Sequence, residues 1–269
     1  MTEKVRGLVV RVYEVNDSLR YVHMITYELG KVSAALRGTM KFRGKFGNAI
    51  MPMSYSEFVL TSSDGLNYWL NEATLVTSFF RLSEDYDRFS LGSYVVDVAD
   101  FMSVENQPEP GLLSLTLNTL WLLIKRREYD LRLIKAAFEL RAAAIGGFLP
   151  DLTGCRDCGV EIGGDSFLSL SDGCLLCVEC AKMRRLAEPD GGEFHDQLFP
   201  VASPVLCAMR YVLSADPKKV FDFLLDPEYI GQLARLSESY LARQLDHHFP
   251  TLDLIDLSGD QKADRRFAK

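Results

Sequence analysis

Five of the six cysteines fall between positions 155 and 180, as Cys155-x-x-Cys158 followed by Cys174-x-x-Cys177-x-x-Cys180. Two C-x-x-C knuckles bring two pairs of thiolates to where a tetrahedral Zn2+, with bonds of about 2.3 Å, collects four of them. Such a segment reads as a zinc-ribbon-like knuckle, with unligated buried thiols as the alternative. Cys155 and Cys158 form the first pair, and the second is either Cys174/Cys177 or Cys177/Cys180. Gly159 follows the first knuckle, where the turn favours a residue without Cβ. Four thiolates close the coordination sphere, so the expected role is structural, not the activation of water. A redox C-x-x-C would want a thioredoxin-like strand-to-helix setting, which this segment lacks. Cys207, in the apolar run 204–209, is expected to be an ordinary core cysteine.

The hydrophobic pattern changes period along the chain. Residues 5–15, 20–27, 31–36, 53–61 and 68–76 read as strands, the last two joined through Ser62-Ser63-Asp64-Gly65, a hairpin signal. Five strands in about 75 residues suit a small barrel, which removes exposed sheet edges. An OB barrel is the first expectation, with an SH3-like barrel equally allowed by strand count. From about residue 84 the period becomes helical, and helices are expected over 112–126, 131–146, 203–213, 217–225 and 227–247. The prolines at 108 and 110 mark an inter-helix loop, and Gly146-Gly147 ends the third helix. The chain is thus expected to be an α+β multidomain protein, with an N-terminal barrel followed by an all-α domain carrying an inserted knuckle. The expected boundaries are a barrel over 1–80, helices over 81–153, the knuckle over 154–186, further helices over 187–257 and a frayed tail over 258–269.

Charge and motif content exclude several functions. The longest nearly apolar stretch, 112–124, is too short to span a bilayer, and charges among the first residues leave no secretory apolar core. The expectation is a cytoplasmic protein with reduced or metal-bound thiols. The segment GTMKFRGK at 38–45 misses a Walker A loop by its glycine spacing, and Phe46 stands where Ser or Thr is required. No nucleotide triphosphate is therefore expected. Neither the His-Glu-x-x-His nor the zinc-deaminase signature occurs around any of the four histidines. No catalytic residues are assigned.

The net charge of -7 argues against a simple polyanion binder, but its distribution does not. Residues 1–80 carry nine bases against seven acids, and residues 31–48 hold five bases with no acid. Lys31, Arg37, Lys41, Arg43 and Lys45 are expected to contact phosphates, and Phe42 and Phe46, interleaved with them, to stack on bases or to enter the core.

The order of parts, barrel, helices, thiolate knuckle and helices, resembles the RecO family of DNA repair and recombination-mediator proteins. The matching stretches are GKVSAALRG at 30–38, Met51-Pro52 leading into the strand at 55–60, SYVVD at 93–97, FELR at 138–141, and GFLPDL at 147–152 running into Cys155 and Cys158. The resemblance spans roughly residues 5–250. It implies an N-terminal OB fold, a helical domain and a zinc knuckle. It also implies an ATP-independent, nucleoid-associated protein that binds single- and double-stranded DNA and anneals strands. With RecR, such a protein loads RecA on strands coated with single-stranded DNA-binding protein. The family's second knuckle, Gly-Gly-x-x-Cys-x-x-Cys, aligns Cys174 with a glycine, which favours Cys155, Cys158, Cys177 and Cys180 as ligands of one structural Zn2+. Arg141 within FELR is expected to receive the acidic, apolar-ended tail of single-stranded DNA-binding protein, or else to pair with an acid such as Glu139. A competing expectation is a zinc-containing protein-interaction adaptor that does not touch DNA.

Overall fold

A computed structural model describes residues 1–16, 19–37, 46–187 and 198–255. Five strands, β1 (Thr2–Asn16), β2 (Leu19–Thr26), β3 (Gly30–Arg37), β4 (Ser54–Ser62) and β5 (Tyr68–Ser78), close into a barrel of order β1-β2-β3-β5-β4. Pairing is antiparallel except between β3 and β5, which run parallel at Ala34↔Tyr68 and Ala35↔Trp69. This is the five-stranded OB-type closure expected from the sequence. Alternation fills the interior with Val5, Val9, Val22, Met24, Val32, Ala34, Leu36, Phe58, Leu60, Tyr68 and Leu70. The β4–β5 turn is held by Asp64, whose carboxylate accepts from the backbone N–H groups of Leu66 and Asn67.

A single 3-10 turn, Gly47–Ile50, plugs the barrel. Ser54 and Ser56 donate to the carbonyls of Asn48 and Ala49, both at 2.7 Å, and this tethers the turn to β4. Phe46 and Ile50 consequently join the core.

The helix α1 (Tyr86–Met102) starts at Asp85, whose side chain accepts from the Arg88 N–H, and α2 (Pro110–Lys125) starts with proline in its first turn. The buried Arg88 guanidinium donates to the carbonyls of Leu123 and Arg127, at 2.9 Å each, so one cation serves the carbonyls at the end of α2. Phe249 returns to this unit, meeting Tyr94 and Phe101 edge-on. By packing, Met1–Glu128 and the stretch from Phe249 form one unit and Tyr129–His248 a second, so α1 and α2 group with the barrel.

Gly30 shows why its position needs glycine. It has φ +70°, and an added Cβ would sit 2.2 Å from the Gln107 carbonyl oxygen. The loop after α1 is laced onto the start of β3 here, with the Lys31 N–H donating to Val104 and the Asn106 N–H to Lys31. Gly30→Ala is expected to destabilise the barrel unit by about 2–3 kcal/mol, from backbone strain and disruption of that lacing. Urea denaturation followed by the emission of Trp69 and Trp121 checks this.

In the second unit α3 (Leu131–Ile145) packs on α5 (Ser203–Ser214) and α6 (Pro227–Leu245). Against them lies a four-stranded sheet of order β6-β8-β7-β9, built from β6 (Asp151–Cys155), β7 (Ser166–Ser169), β8 (Cys174–Cys177) and β9 (Leu198–Val201), with α4 (Val178–Ala187) following β8. The Tyr240 hydroxyl donates to the Phe148 carbonyl at 2.9 Å. Two expectations are corrected here. Residues 217–225 form turns and irregular chain, not a helix. The only buried side chains there are the adjacent Val220 and Phe221, a spacing that offers no helical stripe. Cys207 is exposed, because α5 buries Val205, Leu206, Ala208, Met209 and Val212 and leaves position 207 on the outer face. Among the described residues no helix is long and apolar enough to cross a membrane.

Candidate functional site

The knuckle loop between β6 and Ile162 and the junction of β8 with α4 supply the four cysteines. The sulfurs of Cys155, Cys158, Cys177 and Cys180 all lie within 4.8 Å of one another, the one such cluster of potential metal ligands among the described residues. Local backbone geometry brings them there. The Gly159 N–H donates to the Cys155 carbonyl at 2.8 Å with Gly159 at φ +73°, and the Cys155 N–H donates to Val160 at 2.8 Å. On the other side the Cys180 N–H points at the Cys177 sulfur at 3.5 Å, since α4 begins directly after Cys177.

The Cys158 and Cys177 sulfurs are 3.8 Å apart. A tetrahedron with metal–sulfur bonds of about 2.3 Å has an edge of about 3.8 Å, so the donor set fits a closed, four-thiolate ion such as zinc. Burial pushes the Cys155 thiol up, but the N–H groups of Cys158, Cys177 and Asp157 outweigh it and bring the group down to about 6. Cys180 is raised instead, by hydrogen bonds with Cys177, Cys155 and Cys158. The N–H groups that converge on Cys155 therefore favour its thiolate, the form that ligates a cation. Cys174, the fifth contender, is buried at the start of β8, in register with Ser169 and Asp151, and stands outside the cluster.

An ion pair that no sequence motif announces braces this site. Arg184 on α4 donates to Asp157 at 2.6 and 2.9 Å and lies 3.6 Å from Asp172. It clamps the first knuckle to the helix that follows the second. The partners are 27 positions apart with nothing in the pattern joining them, so no sequence signal marks the pair.

The residues expected to meet DNA divide. Lys41, Phe42, Arg43 and Lys45 lie outside the described residues, and Arg37 is described only as the last residue of β3. Phe46 is 5% exposed within the barrel core, which corrects its expected stacking role, because the turn after it drags the ring inward. Lys31 is also corrected as a freely presented cation. Its ammonium lies 2.7 Å from Asp100 Oδ1 and donates to the Asp100 carbonyl at 3.0 Å, fastening β3 to α1. Arg11 makes a parallel fastening to Asp97 at 3.1 Å.

Arg141 is on α3, where its Nη1 donates to the carbonyls of Val212 and Leu213 at 3.2 and 2.6 Å. It caps the C-terminal end of α5, where carbonyls lack helical partners. Its expected alternative partner, Glu139, is instead paired with Lys135 at 2.8 Å. Beside the α5 terminus a cavity of about 530 Å3 is lined by Leu149, Leu152, Glu161, Arg210, Leu213 and Ser214, among others.

Comparison with known proteins agrees with this layout. Residues 1–79 match the family model described as Recombination protein O N terminal, and residues 83–253 match Recombination protein O C terminal. The chain is 24% identical over 252 residues to a DNA repair protein RecO of Acetivibrio thermocellus, covering 94% of this chain and 95% of that one. It is 29% identical over 258 residues to a DNA repair protein RecO of Symbiobacterium thermophilum, covering 94% and 96%.

Proposed function

The chain belongs to the recombination protein O family, and on that premise we propose that it acts in DNA repair as a recombination mediator that binds DNA and anneals strands without ATP. The observation that carries the reading is the closed barrel whose β3, ending at Arg37, holds the first part of the acid-free cationic run of residues 31–48. Cations clustered in such a run neutralise phosphates without reading base edges, and so lower the repulsion between two strands that must meet to pair. No bond is made or broken in that step, so it asks for no nucleotide hydrolysis and no catalytic constellation. Zinc on Cys155, Cys158, Cys177 and Cys180 would supply folding energy to the second unit.

The partner reading extends this. RecR and the tail of single-stranded DNA-binding protein are the proposed partners, and a tail with acidic and apolar ends suits a surface that combines guanidinium groups with apolar side chains. Arg141 and the cavity around Arg210 and Leu213 offer that combination. Because Arg141 Nη1 is committed to two carbonyls, docking would fall to the rest of its guanidinium.

Strand annealing by the purified chain without ATP tests the proposal. Binding should weaken linearly in log affinity against log salt. Removing Lys41 and Arg43 together should flatten the single-strand slope by roughly 1.4, about 0.7 for each phosphate no longer neutralised. An unchanged slope removes the basic run from the interface.

A further inference from the structure

The outer face of the barrel is divided in two at the irregularity between Val9 and Arg11 in β1. On one side the outward residues Leu8 and Ile25 are buried and Lys31 is ion-paired, where β1 and β2 pack against α1 and α2. On the other side the register sets Tyr13 opposite Tyr21, Tyr21 opposite Ala35, and Ala35 opposite Trp69, across four neighbouring strands. The adjacent row, Val12, Val22, Ala34 and Tyr68, lies in or against the core. Side chains alternate along strands, so Tyr13, Tyr21 and Trp69 share the outer face. Ala35, between two of them, carries no side chain beyond Cβ to interrupt the row.

Three rings on strands spaced about 4.8 Å apart span about 14 Å of this face. Tyr13 is 47% exposed and Trp69 36%, with Tyr21 half-buried. The Tyr13 ring is also held in place: His23 packs against it edge-on at 4.9 Å, and Arg11 Nη1 donates to its hydroxyl at 3.4 Å. An aromatic row fixed before any ligand arrives loses little entropy on stacking.

Charge identifies the occupant. Arg37 closes β3 two residues beyond Ala35, and the sequence continues the cationic run with Lys41, Arg43 and Lys45. A ligand that presents flat apolar faces and a regular anionic backbone is a single-stranded nucleic acid, whereas a duplex hides its base faces. We infer that Tyr13, Tyr21 and Trp69 form a stacking platform for the unpaired bases of single-stranded DNA. This rests on the DNA-binding reading above and adds to it the strand state recognised and the residues that recognise it.

The test uses the full chain with Tyr13→Leu and Trp69→Leu, which keep apolar bulk and remove the π-face, and Trp69→Phe, which keeps a ring. Each leucine variant should weaken oligothymidylate binding by about 5- to 150-fold, the range for loss of one stacked base. Affinity for a duplex of the same length should stay within about twofold, and the salt slope should not change, because no cation is removed. Trp69→Phe should retain most of the single-strand affinity. If the leucine variants bind single strands as the wild type does, the platform is wrong and the DNA-binding reading stands. If they lose single-strand and duplex binding equally, or Trp69→Phe is as weak as Trp69→Leu, the role is structural and the platform is again wrong. If the wild type binds no DNA, both fall.

Discussion

Glu139→Ala is expected to destabilise the helical unit by about 3–5 kcal/mol, a large share of the roughly 5–15 kcal/mol that holds a domain folded. Glu139 is fully buried, pairs with Lys135 at 2.8 Å and accepts from the Ser237 hydroxyl at 2.6 Å. Lys135 reaches Glu238 as well, at 2.6 Å, so the network ties α3 to α6. Removing one carboxylate leaves a buried ammonium with half its compensation, and that uncompensated charge is the source of the cost. The double variant Lys135→Met/Glu139→Leu should recover most of the loss, since apolar groups of similar volume need no partner. Alkaline pH distinguishes the wild type from the double variant. Burial lowers the Lys135 pKa, but Glu139 and Glu238 outweigh it and the group ends above the ordinary lysine value. A lysine raised on folding contributes stability that is complete below its unfolded pKa and is lost as pH rises through the folded one. The wild type should therefore lose stability at high pH more steeply than the double variant. Urea denaturation at neutral and alkaline pH measures both effects; a single variant as stable as the wild type would refute the account.

Metal analysis should give one zinc per wild-type chain, essentially none for Cys158→Ser or Cys180→Ala, and one for Cys174→Ala. Apparent zinc affinities of small thiolate sites are worth about 10–16 kcal/mol, so losing a ligand removes more free energy than truncating any one packed side chain. The sheet β6–β9 should loosen with the metal, because its strands are only four or five residues long and two of its members carry ligands. DNA binding by the barrel unit should survive in each soluble variant, since the thiols and the barrel belong to separate packing units. Zinc retained by Cys180→Ala and lost by Cys174→Ala would reverse the ligand set.

Much of this was legible in one dimension. The five barrel strands follow the period-two pattern within three residues at every end, because an inside-outside alternation is written directly into the order of apolar and polar side chains. Helices α1, α2, α3, α5 and α6 likewise follow their stripes. The segment at 217–225 misled because contiguous apolar residues satisfy a composition test without helical spacing. Cys207 misled for a related reason: an apolar run does not say which of its members faces out.

The candidate sites separate along the same line. The spacing of Cys155, Cys158, Cys177 and Cys180 is itself a chemical constraint, so the cluster was readable up to the choice between Cys174 and Cys180, which the geometry of β8 and α4 decides by carrying Cys174 into the sheet. The fates of the aromatic and cationic residues were not readable. Phe46 enters the core while Tyr13 and Trp69 stay outside, and Lys31 is consumed by Asp100 while Arg141 caps a distant helix. Sequence by itself determined the element types, the barrel and the thiolate knuckle, because periodicity and ligand spacing act between near neighbours. Only the tertiary structure decided which rings and charges remain available, because that depends on partners 70 or so positions away, and a chain carries no local record of what will fold against it.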